Sequence, residues 1–488
     1  MSTVGADATA AELKARFLHA CAQTFDQFIS PTGDLGGESF SDIEGRAEAQ
    51  GRALAGLLCT HRLAADPHSD PTRRFTCPHC AHPMRLQQRA QARTLASSVG
   101  DIALQRPYCV CDHCGFCCAP LDYALAIPAQ GPSVGRRELV CHAATKDRSF
   151  EKAVESLEHY RHIHLSAEAI RQLAEGEGRH VRAAREQRVQ RCFAAAAAVP
   201  PRPPRPATLM VVVADGGSVQ TRDPAERWKN DKIGCVYDAV PEPDPRAATA
   251  TQYAGATAQT KTYVATMAPW EELGRLLFAE AWQRGYAYAR TKLFLADGAT
   301  AIASVHQEHF ADAQFICDWY HAAGHLHDCA RAAFEPGTAA AHQWAEEMLT
   351  RLWHGHRRAV IAAIRRQSHR RGRAPPNTPD TDPRVVLARN VGYFTRRAPC
   401  MDYPTYRAKG WPIGSGVAEA SVKQFGLRVK GSEQFWNVAG AEEMLALCEL
   451  YFSEDGRWGA YWQARGTPPP DALRLLAPPP TLPTRSRR

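Results

Sequence analysis

The feature that most constrains this chain is a pair of cysteine couples in its N-terminal third. Cys77 and Cys80 are separated by two residues, Cys111 and Cys114 repeat that spacing, and 30 residues lie between the couples. The sequence between them, which includes "RTLASSVGDIALQRPYCVC", alternates between apolar and polar residues as β-strands do. A tight turn at each couple can present two thiolates, and four thiolates complete a closed tetrahedral shell. The spacing therefore predicts a zinc ribbon with one structural Zn²⁺.

Cys109, Cys117 and Cys118 lie beside the second couple, so its spacing leaves open which of these cysteines are ligands. The other interpretation is that all these cysteines are reduced and free. The N-terminal residues lack a basic segment followed by an apolar one and a cleavage signature, and no stretch approaches 18 consecutive apolar residues. We therefore expect a cytoplasmic protein without membrane spans, in which cysteines bind metal or stay reduced.

Two short helical patterns follow between residues 149 and 178. Ser149 and Ser166 are the expected N-caps, and the second helix is expected to begin near Ala167. This pattern is typical of a helix-turn-helix, whose second helix would enter a DNA major groove. Acidic residues on that second helix leave its orientation on DNA open. The formal net charge of +8 agrees with an anionic partner without identifying it.

The same short phrase occurs twice further along the chain. In "VVVADGG" and "LFLADGA" an apolar run is followed by an aspartate and a glycine, which places Asp215 and Asp297 where strands end. Each aspartate taken alone is explained by a β-turn that begins there. Taken together, they are expected at the carboxyl ends of neighbouring strands, which face a shared crevice.

A third acid follows the glycine turn in "WPIGSGVAEASVKQFGLRVKG" (residues 411 to 431). We expect Ser415 to be the N-cap of a helix with Glu419 in its first turn, where the helix dipole and Lys423 would stabilise the carboxylate. Three clustered carboxylates repel one another unless cations neutralise them. Two Mg²⁺ (or Mn²⁺) ions about 3.5 to 4 Å apart would do so and would support phosphodiester chemistry. This arrangement is expected of a ribonuclease H-like core.

The blocks around these acids resemble those of bacterial insertion-sequence transposases of the Kra type. The resemblance spans about residues 70 to 465 and is strongest from "YRAKGWPIGSGVAEASVKQFGLRVKG" onward. It implies an Asp/Asp/Glu enzyme whose ribonuclease H-like core is split by a helical insertion. Asp215, Asp297 and Glu419, spaced 82 and then 122 residues apart, would bind the metal ions. "DWYH" is similar to an Asp-x-x-His signature of Mutator-like transposases and makes His321 an active-site neighbour.

The resemblance also implies contacts with DNA phosphates. The residues expected to make them are Arg222, Lys232, His321, Lys423, Arg428 and Lys430. The alternative for the last three basic residues is an ordinary solvated helix face. A dense arginine run between Arg357 and Arg373 has the same two interpretations.

We therefore expect a multidomain α+β protein. The predicted parts are an N-terminal helical region (1–70), a zinc ribbon (71–122), a helix-turn-helix region (123–193), an Ala/Pro-rich linker (194–206), the first part of a ribonuclease H-like α/β core (207–317), an all-α insertion (318–400), the last part of the core (401–466) and a disordered tail (467–488).

The resemblance implies a DNA transposase that cleaves at transposon ends and transfers strands into target DNA. Its partners would be double-stranded DNA, at terminal inverted repeats and at the target, and further copies of itself, with no membrane partner. It would be a bacterial cytoplasmic protein, nucleoid-associated when bound to DNA. Two alternatives stay open: a non-catalytic DNA-binding regulator derived from a transposase, and a metal-dependent nuclease without strand transfer.

Overall fold

The computed structural model describes residues 10–29, 39–194, 199–431 and 434–469. Most of the predicted tail, from residue 470, and residues 195–198 of the predicted linker lie outside this range. The described chain is α+β, as predicted, and divides into two compact units. The first unit comprises the residues up to Ala143, Ala153–Ile170 and those from Trp458 onward, and the second comprises Ala144–Lys152 and Arg171–Arg457.

The N-terminal third combines helices with a small antiparallel sheet. Its elements are α1 (Ala10–Ile29), α2 (Phe40–Ala64), β1 (Arg85–Ser97), β2 (Gly100–Val110), β3 (Cys117–Cys118), α3 (Pro120–Ala124), α4 (Val134–Lys146), α5 (Phe150–Arg161) and α6 (Ala167–Phe193). The sheet has the order β1-β2-β3, and all its pairings are antiparallel. Arg106 and Arg93 both bind the carboxylate of Asp122, at 2.7 and 2.9 Å, which joins this sheet to α3.

Both predicted serine caps are present around α5 and α6. The backbone N–H of Lys152 donates to Ser149 Oγ at 3.2 Å, and that of Ala169 donates to Ser166 Oγ at 3.1 Å. The extent predicted for the second helix is wrong, because α6 runs for 27 residues. From Arg171 onward it belongs to the second unit.

The second unit is built on a five-stranded sheet. Its elements are β4 (Leu209–Gly216), β5 (Val219–Gln220), β6 (Trp228–Lys229), β7 (Lys232–Pro241), β8 (Ala256–Thr266), α7 (Trp270–Gln283), β9 (Thr291–Ala296), α8 (Thr300–His309), β10 (Gln314–Cys317), α9 (Trp319–Ala333), α10 (Ala339–Trp353), α11 (Arg357–Arg371), α12 (Pro383–Arg397), α13 (Tyr403–Ala408), α14 (Gly416–Val429) and α15 (Val438–Phe452).

The sheet has the order β10-β9-β4-β7-β8. Strand β4 pairs parallel to β9 and antiparallel to β7, and β9 pairs parallel to β10. The first six residues of β4, "LMVVVA", are all buried, as the near-continuous apolar run requires of a central strand covered on both faces. The strands predicted before Asp215 and Asp297 are confirmed as β4 and β9.

Helices cover both faces of this sheet. The ring of Tyr263 in β8 meets Phe425 of α14, with centroids 5.8 Å apart. The next residue, Val264, faces the other side, together with Gly234 of β7. A Cβ at Gly234 would lie 2.7 Å from Leu277 of α7. Helices α7 and α14 therefore lie on opposite faces, and the glycine lets α7 approach closely.

The segment between β10 and α14 is helical, as predicted for the insertion. It contains helices α9 to α13 and, among its residues, all of which the structure describes, no strand. The insertion extends past residue 400, since α13 ends at Ala408. Trp319 packs edge to face against Trp353 and Tyr403, with centroids 4.9 and 5.0 Å away.

The last helix, α16 (Arg457–Arg465), differs from the prediction for residues 401–466. From Trp458 onward it belongs to the first compact unit instead of the sheet unit. The ring of Trp458 lies 6.3 Å from that of His142 within that unit.

Helices of bilayer-spanning length and hydropathy do not occur in the described parts of the chain.

Candidate active site and candidate metal centre

Asp215 and Asp297 lie at matching positions on adjacent strands. The parallel register pairs Val213 of β4 with Leu295 of β9, so two residues further on the two aspartates lie side by side at one edge of the sheet. The N–H of Gly216 donates to Asp215 Oδ1 and that of Ala299 to Asp297 Oδ1, each at 2.7 Å. Both aspartates line one cleft of about 320 Å³.

Glu419 and His321 share this electrostatic environment. Burial raises the pKa of Asp215, and the negative charges of Asp297 and Glu419 raise it further. The hydrogen bond from Gly216 and the charge of His321 oppose this rise without cancelling it. The charges of Asp297 and Glu419 therefore reach the half-buried Asp215 and disfavour its ionised form, a situation that a bound cation would relieve.

The distances between the carboxylate oxygens of the three acids limit how many metal ions they could bind. Among the described residues, groups of three or more ligand atoms within 4.8 Å of one another occur at cysteines and histidines, and the three acids do not form such a group. Two oxygens on one Mg²⁺, at about 2.1 Å each, are at most about 4.2 Å apart. The acids thus do not enclose a single ion, whereas ligands divided between two ions need not be so close.

Asp318 positions the helix that carries Glu419. Its side chain is fully buried; Oδ1 accepts from the N–H of His321 at 2.9 Å, and Oδ2 accepts from the N–H of Ser415. The backbone N–H of Asp318 donates to Ala296 O at 2.8 Å, at the end of β9. One carboxylate therefore ties the start of α9 to the turn before α14. The sequence drew attention to "DWYH" but not to this role of its aspartate.

The glycine turn differs in part from its prediction. Ser415 occupies the N-cap position, but its side chain makes no capping hydrogen bond; instead its carbonyl accepts from the N–H of Glu419 at 3.0 Å. A Cβ at Gly414 would lie 2.6 Å from the ring of Tyr320, whereas a Cβ at Gly416 would meet nothing within 4 Å. Only the first glycine is required by a close approach.

The helical insertion supports the second acid. The hydroxyl of Tyr393 donates to the carbonyl of Asp297 at 2.8 Å, and Arg397 Nε donates to the carbonyl of Gly298, also at 2.8 Å. Both donors belong to α12, about 100 residues further along the chain. Gly298 has φ +83°, which favours glycine at this turn. No pattern in the sequence indicated these contacts.

The predicted DNA-contacting residues fall into different environments. Lys423 is exposed and lies 3.7 Å from Glu419. Arg222 is exposed, and its Nε donates to the carbonyl of Phe435 at 3.0 Å. Lys232 lines the cleft; its Nζ donates to Asn230 O at 3.0 Å, and burial lowers its pKa. Lys430 Nζ lies 3.7 Å from Oδ1 of Asp231, which also lines the cleft.

The position of Arg428 contradicts the prediction that this residue contacts a DNA phosphate. It is 2% exposed, its guanidinium lies 4.2 Å from the ring centre of Phe150 and 5.2 Å from that of Trp436, and its Nε donates to the carbonyl of Ala144. Burial lowers its pKa to about 10. Because this guanidinium is enclosed by aromatic rings, the prediction that it contacts DNA phosphates is wrong. It connects α14 to the segment before α5.

The cysteine couples come together as predicted. Sγ of Cys77 lies 3.5 Å from that of Cys114, Sγ of Cys80 lies 3.4 Å from that of Cys111, and all four sulfurs are within 4.8 Å of one another. This result selects Cys111 and Cys114 as the second couple. The neighbouring Cys109 and Cys118 are free cysteines that lie opposite each other in the register of β2 and β3. Cys117 is exposed.

The two cysteine turns have the same backbone form. The N–H of Ala81 donates to Cys77 O, and the N–H of Gly115 donates to Cys111 O, each at 2.9 Å. Ala81 and Gly115 have φ values of 58° and 77°, at equivalent positions after each couple. Only the second turn has a glycine at that position.

The thiols of the cluster affect the pKa values of Cys111 and Cys80 in opposite directions. Hydrogen bonds from the backbone of Cys114 and His113, with the other thiols, lower the pKa of Cys111 to about 7. A backbone hydrogen bond from His82 lowers the pKa of Cys80, but burial and the other three cysteines outweigh it and raise that pKa to about 12. Four converging sulfurs of this kind fit a metal ion, which would allow all of them to ionise.

The comparisons with known proteins do not identify a family: no protein-family model matches the chain, and neither does any curated protein.

The cysteine cluster predicts which substitutions release metal. Cys77→Ser and Cys114→Ser should lower the bound metal from about one equivalent per chain to a small fraction, because each removes one of four ligands. Plasma mass spectrometry of the purified protein measures this content. Cys109→Ser and Cys118→Ser, which change neighbouring cysteines outside the cluster, should keep the full content. Undiminished metal in Cys77→Ser would contradict the assignment.

The turn before α14 predicts unequal effects at its two glycines. Gly414→Ala should lower the free energy of unfolding by about 1–2 kcal/mol, because the new Cβ overlaps the Tyr320 ring. Gly416→Ala should change it by less than about 0.5 kcal/mol. Urea unfolding gives both values. Tyr320→Ala should remove most of the cost of Gly414→Ala, and a cost that persists in this double variant would show that the ring is not its cause.

Repulsion at Asp215 predicts a stabilising substitution. The folded-state pKa of Asp215 is raised, so its carboxylate destabilises the fold above that pKa, and the penalty fades as the pH falls and the group binds a proton. In chelator at pH 7, Asp215→Asn should raise the melting temperature by about 2 °C for each kcal/mol of penalty removed. The difference should shrink towards pH 4.

Asp223→Asn, at an exposed aspartate, is the matched control and should leave the melting temperature unchanged. Scanning fluorimetry with and without Mg²⁺ adds a second measurement, because the cation should stabilise the wild type more than Asp215→Asn. A lower melting temperature for Asp215→Asn in chelator would contradict the repulsion.

Proposed function

We propose that this protein is a DNA transposase of the Asp/Asp/Glu type, similar to the insertion-sequence transposases of the Kra type. One observation carries the proposal: Asp215 and Asp297 end adjacent parallel strands in matching register, and the charge of Glu419 acts on Asp215. The pair of aspartates could arise from ordinary turns, but a third acid, 122 residues further along, would not then be expected beside them.

The sheet supports a ribonuclease H-like core. Numbered along the chain, its strands lie in the order 3-2-1-4-5, and the second strand alone runs antiparallel to the others. In the proposal this sheet is the ribonuclease H-like core, and its first and fourth strands lead to Asp215 and Asp297. The helical segment from α9 to α13 occupies the place of the insertion that the resemblance implies.

In this proposal Asp215, Asp297 and Glu419 hold two divalent cations. Bound there, Mg²⁺ or Mn²⁺ would increase the nucleophilicity of an attacking oxygen and stabilise the leaving oxygen of a phosphodiester. Asp318 keeps Glu419 in place, and Tyr393 with Arg397 keeps Asp297 in place. Hydrolysis at the transposon end frees a 3′ hydroxyl, which then displaces an oxygen at a target phosphate. Neither step needs a covalent bond to the protein.

Basic surfaces of the second unit suit a DNA backbone. Lys423 and Arg222 are exposed, and Lys430 lies 3.7 Å from Asp231 with 26% of its side chain exposed. Helix α11 and its exit present a run of exposed arginines: Arg358, Arg365, Arg366, Arg370, Arg371 and Arg373. Phosphate binding by such residues would weaken steeply as salt is raised.

The cysteine cluster completes the proposal as a zinc ribbon. Four thiolates would fill the coordination shell of one Zn²⁺ and leave no open position, so its role would be structural. The ribbon, together with α5 and α6, would bind terminal inverted repeats of double-stranded DNA in a cytoplasmic complex of several copies.

A strand-transfer assay with DNA labelled at the 3′ end tests the function. Wild-type protein with Mg²⁺ should cut at the transposon end and join the labelled end to target DNA. Asp215→Asn, Asp297→Asn and Glu419→Gln should each lose cutting by at least about 10³-fold, because each removes an oxygen ligand, while binding to end DNA is retained.

The other outcomes separate the alternatives. Cutting without joining indicates a nuclease, and end binding without cutting indicates a regulator. Asp223→Asn is again the control and should cut as the wild type does. Near-normal cutting by any one of the three acid variants would remove that residue from the site.

A further inference from the structure

A fourth carboxylate lies in the cleft of Asp215 and Asp297. Asp231, just before β7, is 0% exposed and lines the same cleft as the two aspartates. Neither of its side-chain oxygens accepts a hydrogen bond from a described residue. A buried carboxylate in this condition is strongly destabilised unless positive charge or donor groups reach it.

The nearest cation is Lys430, from the end of α14. Its Nζ lies 3.7 Å from Asp231 Oδ1, which is too long for a direct hydrogen bond, and its side chain keeps 26% of its surface exposed. Gly217 covers this pair, because a Cβ there would lie 2.0 Å from Lys430 Nζ and 2.6 Å from Asp231 Oδ1. The pair therefore lies directly beneath the turn that follows Asp215.

Ion pairs with a structural role look different in this unit. Arg457 contacts Glu280 at 2.5 Å, and both oxygens of Glu280 accept from its guanidinium. The two direct hydrogen bonds between Arg457 and Glu280 compensate for the solvation that these buried charges lose. Asp231 and Lys430 form an open pair, without a direct hydrogen bond, which compensates for that loss only in part. The open pair is also the one that borders the acidic cleft.

We propose that Asp231 is a fourth acidic residue of the active site and that Lys430 is its counter-ion only until a divalent cation binds. Asp231 would then accept hydrogen bonds from the hydration shell of the cation, and Lys430 would be free to bind a DNA phosphate. The proposal rests on the proposed function, since it assumes that Asp215, Asp297 and Glu419 bind divalent cations.

The contact through water follows from the geometry. The oxygens of Asp231 are not part of a group of ligand atoms within 4.8 Å of one another, so direct ligation alongside the other acids is not indicated. Mg²⁺ keeps several waters in protein sites, and carboxylates beyond the ligands commonly accept hydrogen bonds from them.

Cation binding and the DNA contact of Lys430 would be coupled through Asp231. A cation that takes over Asp231 releases Lys430, and a phosphate that takes Lys430 leaves Asp231 to the cation. Such coupling is reciprocal, so it can be measured from either side.

The first experiment measures cation affinity in the full chain without DNA. Mn²⁺ is titrated and followed by electron paramagnetic resonance. Asp231→Asn should weaken Mn²⁺ binding by about 10-fold or more, as loss of a carboxylate beyond the ligands does. Asp238→Asn, in the strand β7 that follows Asp231, changes a carboxylate that lies 3.1 Å from Arg284, and it should bind as the wild type does.

Asp215→Asn in the same titration separates the two proposals. If Asp215→Asn binds Mn²⁺ as the wild type does, the proposed function itself fails. If Asp215→Asn loses binding and Asp231→Asn does not, the fourth-acid proposal is overturned while the function stands. The melting temperature of Asp231→Asn in chelator should equal or exceed that of the wild type, and a large decrease would show that Asp231 is structural.

The second experiment measures the affinity for end DNA by fluorescence anisotropy, with Ca²⁺ or with chelator. Lys430→Gln should weaken binding several-fold with Ca²⁺, as loss of about one phosphate contact does, and much less with chelator. In the Asp231→Asn background, Lys430→Gln should cost the same under both conditions. Equal costs in the wild-type background would contradict the exchange of Lys430 between Asp231 and DNA.

Discussion

The buried carboxylate of Asp318 is the interaction on which the geometry of the second unit depends. It accepts one N–H from the start of α9 and another from the turn before α14, where Ser415 lies 97 residues beyond Asp318 in the chain. Because the carboxylate is fully buried, its two oxygens need these donors, and the donors need an acceptor. The helical insertion can therefore leave the sheet at β10 and return at α14 without displacing Glu419.

The acidic cleft is the opposite case, because the protein does not supply enough donors or positive charge to stabilise its carboxylates. Burial and mutual repulsion raise the pKa of Asp215, and Asp231 lies nearby without a hydrogen bond. A fold tolerates such destabilised carboxylates where a ligand stabilises them, which is why perturbed pKa values concentrate at functional sites. The Arg–Asp pairs that join the small sheet to α3 are closed and short, so they have the geometry of stabilising contacts.

Local patterns predicted the elements well where short-range physics decides them. Apolar runs predicted the strands before Asp215 and Asp297, and hydroxyl side chains at Ser149 and Ser166 predicted two helix starts. The prediction failed for Arg428, which shares a helix with exposed Lys423 but is enclosed by Phe150 and Trp436. A helical pattern says which residues share a face, and it does not say whether another segment will cover that face.

The sequence by itself determined the spacing of the cysteine couples, the positions of the acids after their strands and the order of the elements, since each of these is written in neighbouring residues. Only the tertiary structure decided that Cys111 and Cys114, and not their neighbours, meet the first couple, that α12 supports Asp297, and that Asp231 faces the cleft. These contacts join residues that are from 16 to about 100 positions apart. They depend on which surfaces pack together, and the local sequence does not show which surfaces do so.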